Sequence, residues 1–232
     1  MTMPTEHLFA TGAQAAADIA ARIAGILSDA IAARGVASIA LSGGRSPRPV
    51  LEALSAAELD WSKLIVTLVD ERWVAPDSAD SNERLVRETL LQGAAAQAQF
   101  VPMKTQAADA YAGQPAVEAA FAALPWPLDI ILLGMGDDGH TASLFPEGKE
   151  LAEGLTSEAL TIAATPPAAP HQRLSLTARA ILQSRHIFLQ IGGVAKKAVY
   201  DRALAGGPVK DLPIRLALSQ DKVPVEVWIA EG

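Results

Sequence analysis

Four nearly continuous apolar runs, each ending in glycine or charged residues, constrain this chain more than any other feature. Val36-Ala37-Ser38-Ile39-Ala40-Leu41 runs into Ser42-Gly43-Gly44-Arg45-Ser46-Pro47, and Leu64-Ile65-Val66-Thr67-Leu68-Val69 into Asp70-Glu71-Arg72. Leu128-Asp129-Ile130-Ile131-Leu132-Leu133 runs into Gly134-Met135-Gly136, and His186-Ile187-Phe188-Leu189-Gln190-Ile191 into Gly192-Gly193. Strands without polar alternation are covered on both faces, and when helices separate them they form a mostly parallel sheet.

The intervening segments have helical spacing. Ile19, Ile23, Ile26, Leu27 and Ile31 fall at that spacing between Ala13 and Arg34, and Gly35 stands where such a helix stops. Val50 to Leu54, Glu83 to Leu91 and Ala195 to Leu204 follow three of the runs in the same way, and Val225-Glu226-Val227-Trp228-Ile229 reads as a last strand. The expected architecture is α/β: a three-layer αβα arrangement with a mostly parallel, Rossmann-like central sheet, in one domain over residues 1–232. Leu124-Pro125-Trp126-Pro127 and Thr165-Pro166-Pro167-Ala168-Ala169-Pro170 read as surface loops, the second long enough to edge a site.

Ligands of open α/β sheets sit at the carboxyl ends of strands, so the residues after each run are the candidates for chemistry. Gly134 to Pro146 is the densest stretch: three glycines, Asp137, Asp138 and His140 fall within seven positions. Glycine lets backbone approach a ligand closely, and imidazole is the side chain that titrates near neutral pH. Asp138, two residues from His140, can orient its ring or share a substrate with it.

The Ser42-Gly43-Gly44-Arg45-Ser46 loop joins a strand to a helix, so its backbone N–H groups favour an anion and Arg45 adds charge. It matches neither the Walker loop nor the Gly-x-Gly-x-x-Gly fingerprint, which leaves ATP and NAD poorly supported. Asp70-Glu71-Arg72, three charged residues in succession after six apolar ones, are expected to face the crevice or solvent; Asp70 can accept from sugar hydroxyls, and Arg72 can pair with a phosphate through its planar fork. Lys196 follows the last glycine pair, and Arg173 opens a short alternating strand after the Pro-rich loop, so both are candidates for the same ligand.

Composition bounds the ligand. A net charge of −7 argues against a nucleic-acid surface, which concentrates Lys and Arg, so any phosphate is held in a local pocket. With no cysteine there is neither disulfide, thiolate metal site nor thiol nucleophile, and four scattered histidines do not suggest zinc. No apolar run reaches the roughly 18 residues of a membrane span, and Met1 to His7 lacks the pattern of a secretory signal. The expectation is a cytoplasmic protein, monomeric or dimeric, acting on a small molecule without metal, cofactor, nucleic acid or membrane.

Four segments carry a resemblance: Ser42-Gly43-Gly44-Arg45-Ser46; Asp70-Glu71-Arg72-Trp73-Val74 with Ser81-Asn82; Gly134 to Pro146; and Gly193-Val194-Ala195-Lys196. Together they resemble the 6-phosphogluconolactonases, within the wider group that includes glucosamine-6-phosphate deaminase. The resemblance implies hydrolysis of 6-phospho-D-glucono-1,5-lactone in the oxidative pentose phosphate pathway, with no metal or organic cofactor. It also implies that His140 activates water, that Asp138 supports it, and that Ser42, Gly43, Gly44, Arg45, Arg72, Lys196 and Arg173 hold sugar and phosphate. The deaminase branch carries a glutamate five residues after the histidine, where this chain has Phe145. A non-catalytic sugar-phosphate-binding protein would use the same cations without the chemistry.

Overall fold

The computed structural model describes residues 3–230. In chain order the elements are β1 (Thr5–Phe9), α1 (Gly12–Arg34), β2 (Ala37–Leu41), α2 (Arg48–Ser55), β3 (Leu64–Leu68), β4 (Asp70–Arg72), α3 (Asn82–Thr89), β5 (Gln99–Phe100) and α4 (Ala110–Ala122). They continue as β6 (Leu128–Leu133), α5 (Leu151–Thr156), β7 (Thr161–Ala164), β8 (Arg173–Leu176), α6 (Ala178–Leu182), β9 (Ser184–Gly192), α7 (Gly193–Leu204), α8 (Arg215–Leu218) and β10 (Val225–Ala230).

Seven strands form one sheet in the order β1-β10-β9-β6-β2-β3-β5, and every pairing in it is parallel. All residues of β2 and β6 are buried, as strands covered on both faces require. The α/β expectation therefore holds, with helices flanking a parallel sheet. α1 shows how locally the sequence dictates this. The Thr11 side chain accepts the Gln14 N–H at its start, and Gly35 takes φ 77° at its end and donates to the Ile31 carbonyl. The face between them buries Ile19, Ile23 and Leu27 against the sheet.

The strand order reverses at β2. From there the chain proceeds to β3 and β5 on one side, while β6, β9 and β10 build outward on the other. The loops after β2 and β6 thus diverge, leaving a crevice at the carboxyl ends of the strands.

A second sheet, which the sequence pattern only hinted at, closes over that end. β4, β8 and β7 pair antiparallel in the order β4-β8-β7. Val69 alone separates β3 from β4 and accepts the Leu176 N–H at 2.8 Å. The chain thereby leaves the parallel sheet and delivers Asp70 to Arg72 to the new one.

Candidate active site

At the strand-order reversal lies a cleft of about 330 Å³, lined among others by Ser42, Arg45, Asp70, Arg72, His140 and Lys196. Gly43 and Gly44 also line it, so eight of the ten residues singled out in the sequence converge on one cavity. The remaining two, Asp138 and Arg173, stand behind its walls.

The β2 loop reaches the cleft because the Ser42 N–H is fixed by the Leu132 carbonyl at 3.0 Å. Gly44 adopts φ 94°, which favours glycine. Gly43 is required for a different reason: a Cβ there would lie 1.8 Å from Asn82 Oδ1. The close approach joins the β2 loop to the start of α3.

The β6 loop supplies the imidazole. Asp138 Oδ1 accepts from His140 Nδ1 at 2.6 Å and from the His140 backbone N–H at 3.0 Å. Burial pushes the Asp138 carboxyl up, but the hydrogen bonds from the His140 ring and backbone outweigh that and hold it below its ordinary value. An ionised carboxylate only accepts, so Nδ1 carries a proton, and in the neutral form of the ring Nε2 has the free lone pair. The ring stands 4.4 Å from the Phe145 ring, between centroids. A Cβ on Gly136 would be 2.1 Å from His140 Nδ1, so the turn accommodates the imidazole only through this glycine.

β4 places three consecutive charged residues on two faces, as strand alternation demands. Asp70 and Arg72 line the cleft, whereas Glu71 points away and is only 1% exposed. This corrects the expectation that the whole triplet faces crevice or solvent. The Glu71 carboxylate accepts the N–H groups of Arg72, Asn82 and Glu83 at 2.7, 2.8 and 2.7 Å, and the Ser81 hydroxyl at 3.0 Å. It thereby holds the amino end of α3 against β4. Burial pushes its carboxyl up despite those four donors. Asp70 accepts from the Ser143 hydroxyl at 2.6 Å, and its carbonyl accepts from Asn82 Nδ2 at 2.8 Å.

Lys196, in the first turn of α7, lines the cleft, while Lys197 pairs with Asp201 at 2.6 Å and is held on the surface. Arg173 is not brought to the cleft wall. It lies opposite Arg72 in the β4–β8 register and is only 6% exposed, which pushes its guanidinium down, with Asp70 opposing that effect.

Four residues of the site lie outside the sequence-predicted set. Glu71 and Asn82 were visible only as members of a segment that carries the resemblance, and Ser143 only as part of the Gly134 block. Gln190 lines the cleft from β9, and its buried Oε1 has no partner among the described residues. Its one signal is an amide near the end of an otherwise apolar strand.

Two further cavities adjoin. On the far side of His140, about 560 Å³ is bounded by Asp137, Asp138, Phe145, Glu147 and the Pro166-Pro167 loop. That loop therefore does edge the site. Beyond Arg45 and Arg72 lies another cavity of about 310 Å³.

A parallel α/β sheet with a cationic cleft and an Asp–His pair at its reversal point defines a protein built to hold a small anionic ligand beside an imidazole. The comparisons give that class a family. Residues 10–227 match the family of glucosamine-6-phosphate isomerases/6-phosphogluconolactonase. The chain is 45% identical over 226 residues to the 6-phosphogluconolactonase of Pseudomonas putida, covering 96% of this chain and 91% of that one. It is 45% identical over 219 residues to the 6-phosphogluconolactonase of Mesorhizobium japonicum, covering 94% and 91%. The crystal structure of a 6-phosphogluconolactonase from Shewanella baltica superposes with a TM-score of 0.96 at 42% identity, covering 99% of this chain and all of that one. The chain belongs to the glucosamine-6-phosphate isomerase/6-phosphogluconolactonase family, as the four motifs indicated.

Proposed function

We propose that this protein hydrolyses 6-phospho-D-glucono-1,5-lactone to 6-phosphogluconate, the hydrolytic step of the oxidative pentose phosphate pathway. The observation that carries the mechanism is the Asp138–His140 pair, with its imidazole on the wall of a cleft that also holds Arg45, Arg72 and Lys196. The names of the relatives support the substrate.

In this reading the cations and the Ser42–Arg45 backbone hold the phosphate, while Asp70 accepts from a sugar hydroxyl. His140 Nε2 takes a proton from water as the oxygen attacks the lactone carbonyl, and Asp138 stabilises the resulting imidazolium. The tetrahedral intermediate collapses by breaking the ring C–O bond. The imidazolium returns its proton to the departing ring oxygen, which becomes a hydroxyl, and the new carboxylic acid ionises to release one proton. A lactone is already activated, so a placed water and a base suffice, without a covalent serine. Phe145 in van der Waals range of the ring favours this branch, since the deaminase branch carries a carboxylate there.

The direct assay is acid release from freshly generated 6-phosphogluconolactone against an enzyme-free blank, with ammonia release from glucosamine-6-phosphate in parallel. Only the first is expected to accelerate. His140→Ala is expected to lower kcat by about 10²- to 10⁴-fold, the range for loss of a general base, and near-parental turnover would remove His140 from that role. Lys196→Ala is expected to raise KM more than it lowers kcat, because it removes binding common to ground and transition states. Affinity for the phosphorylated sugar without any hydrolysis would instead favour a binding protein.

A further inference from the structure

The cavity beyond Arg45 and Arg72 has a lining that the hydrolysis above does not use. Its walls include Arg45, Arg48, Arg72 and Arg84, and Glu88 is the one carboxylate among its lining residues. Four guanidinium groups around about 310 Å³ are a marked local excess in a chain of net charge −7.

Two of the four, Arg45 and Arg72, have no carboxylate partner among the described residues, and the other two are paired only within exposed helical turns. Arg45 takes part in no ion pair among the described residues, and Arg72 donates through Nη1 to the Asp80 carbonyl rather than to a carboxylate. Arg48 reaches Glu52 only at 3.5 Å, through Nη1. Arg84 donates Nε to Glu88 at 2.7 Å and Nη1 to the Asp77 carbonyl at 2.9 Å, which orients its fork and leaves Nη2 without a partner among the described residues. Exposed pairs one helical turn apart are weak, whereas a planar guanidinium fork matches phosphate oxygens two at a time. The amino end of α3 is not the attraction, because the N–H groups of Asn82, Glu83 and Arg84 are already bonded to Glu71 and Ser81.

Arg45 and Arg72 line both this cavity and the cleft, so the two share a wall. We infer that the arginine-lined cavity is a second anion site, which takes one phosphoryl group of a small bis-phosphorylated compound while the other lies in the cleft. Such a compound competes with the lactone. The inference rests on the reading of the cleft as a phosphate site, and Arg48 and Arg84 belong to the second site alone.

The test is calorimetric titration of the intact protein with inorganic phosphate, pyrophosphate and a hexose 1,6-bisphosphate, together with inhibition of lactone hydrolysis by each. At least one bis-anion is expected to bind the parent about tenfold more tightly than phosphate, the effect of about 1.4 kcal/mol. The Arg48→Gln/Arg84→Gln variant brings that ratio within about twofold, with phosphate affinity and lactone turnover unchanged, and Arg48→Gln alone gives an intermediate ratio. Dependence with pyrophosphate fixes a short spacing between the two anions, and dependence with the hexose bisphosphate a long one. A ratio that survives the double substitution for both compounds overturns the inference, as does an equal loss of phosphate and bis-anion affinity. Binding is read without turnover. Binding that depends on Arg48 and Arg84 in a protein that hydrolyses no lactone therefore sinks the catalytic reading and leaves the second site standing, and the reverse pattern does the opposite.

Discussion

At the scale of single residues, His140 has its ring fixed from two sides. Asp138 holds both its backbone N–H and Nδ1, and Gly136 leaves the space that the ring fills. Gly136→Ala is therefore expected to displace the imidazole without unfolding the turn, because the glycine N–H still reaches the His140 carbonyl at 2.9 Å. Misplacing a catalytic group by about 1 Å costs up to about 10²-fold, so we expect kcat to fall about 10- to 10²-fold while near-parental circular dichroism and melting temperature are retained. Steady-state kinetics beside a thermal melt checks both halves. This part of the site was legible because Gly136, Asp138 and His140 are neighbours in sequence, and their chemistry is local. Gln190 was not, because only the pairing of β9 with β6 brings its amide to the cleft.

At the scale of elements, β4 separates what the sequence could show from what it could not. Its two cleft residues were singled out because charged residues ending an apolar strand attract notice. Glu71 was read with them because a three-residue strand has too few positions to reveal its alternation, and its partner strand β8 begins at residue 173. The same distance hid β7, while alanines and an internal Pro115 obscured α4. Glu71→Gln replaces an oxygen facing buried donors with an amide NH₂ that cannot accept from them. Such a loss, with the Glu83 N–H or the pair from Arg72 and Asn82 left facing another donor, is expected to cost about 2–4 kcal/mol. Urea unfolding checks this, and a cost under about 0.5 kcal/mol would mean that the α3 start is held by Ser81 and packing instead. Because Arg72 and Asn82 flank the same carboxylate, KM is expected to rise in parallel.

At the scale of the whole molecule, five strands of the parallel sheet, β2, β3, β6, β9 and β10, were legible as apolar runs, whereas β1, largely exposed, and β5, only two residues long, were not. Within the sheet, β9 carries a half-buried histidine. His186 Nδ1 has no partner among the described residues, and burial pushes its imidazole below the ordinary value. Glu226 and Asp129 pull it up, while Arg22 and Arg185 push it down. With the folded value below the unfolded one, the unfolded chain binds the extra proton first as pH falls. Its contribution to stability is thus complete above about pH 6.5 and is lost on acidification below it. His186→Gln is expected to lose less stability than the parent between about pH 7 and about pH 5, as measured by denaturant midpoints. Parallel pH curves for the two proteins would assign the acid sensitivity to other groups. The two cavities that meet at His140 differ in electrical character: Arg45, Arg72 and Lys196 outnumber Asp70 on one side, and Asp137, Asp138 and Glu147 line the other. An anionic reactant is drawn to the first and repelled by the second, whereas water is indifferent to the sign. The imidazole therefore stands as a partition between a cationic opening that suits an anion and an acidic one that repels an anion but not water.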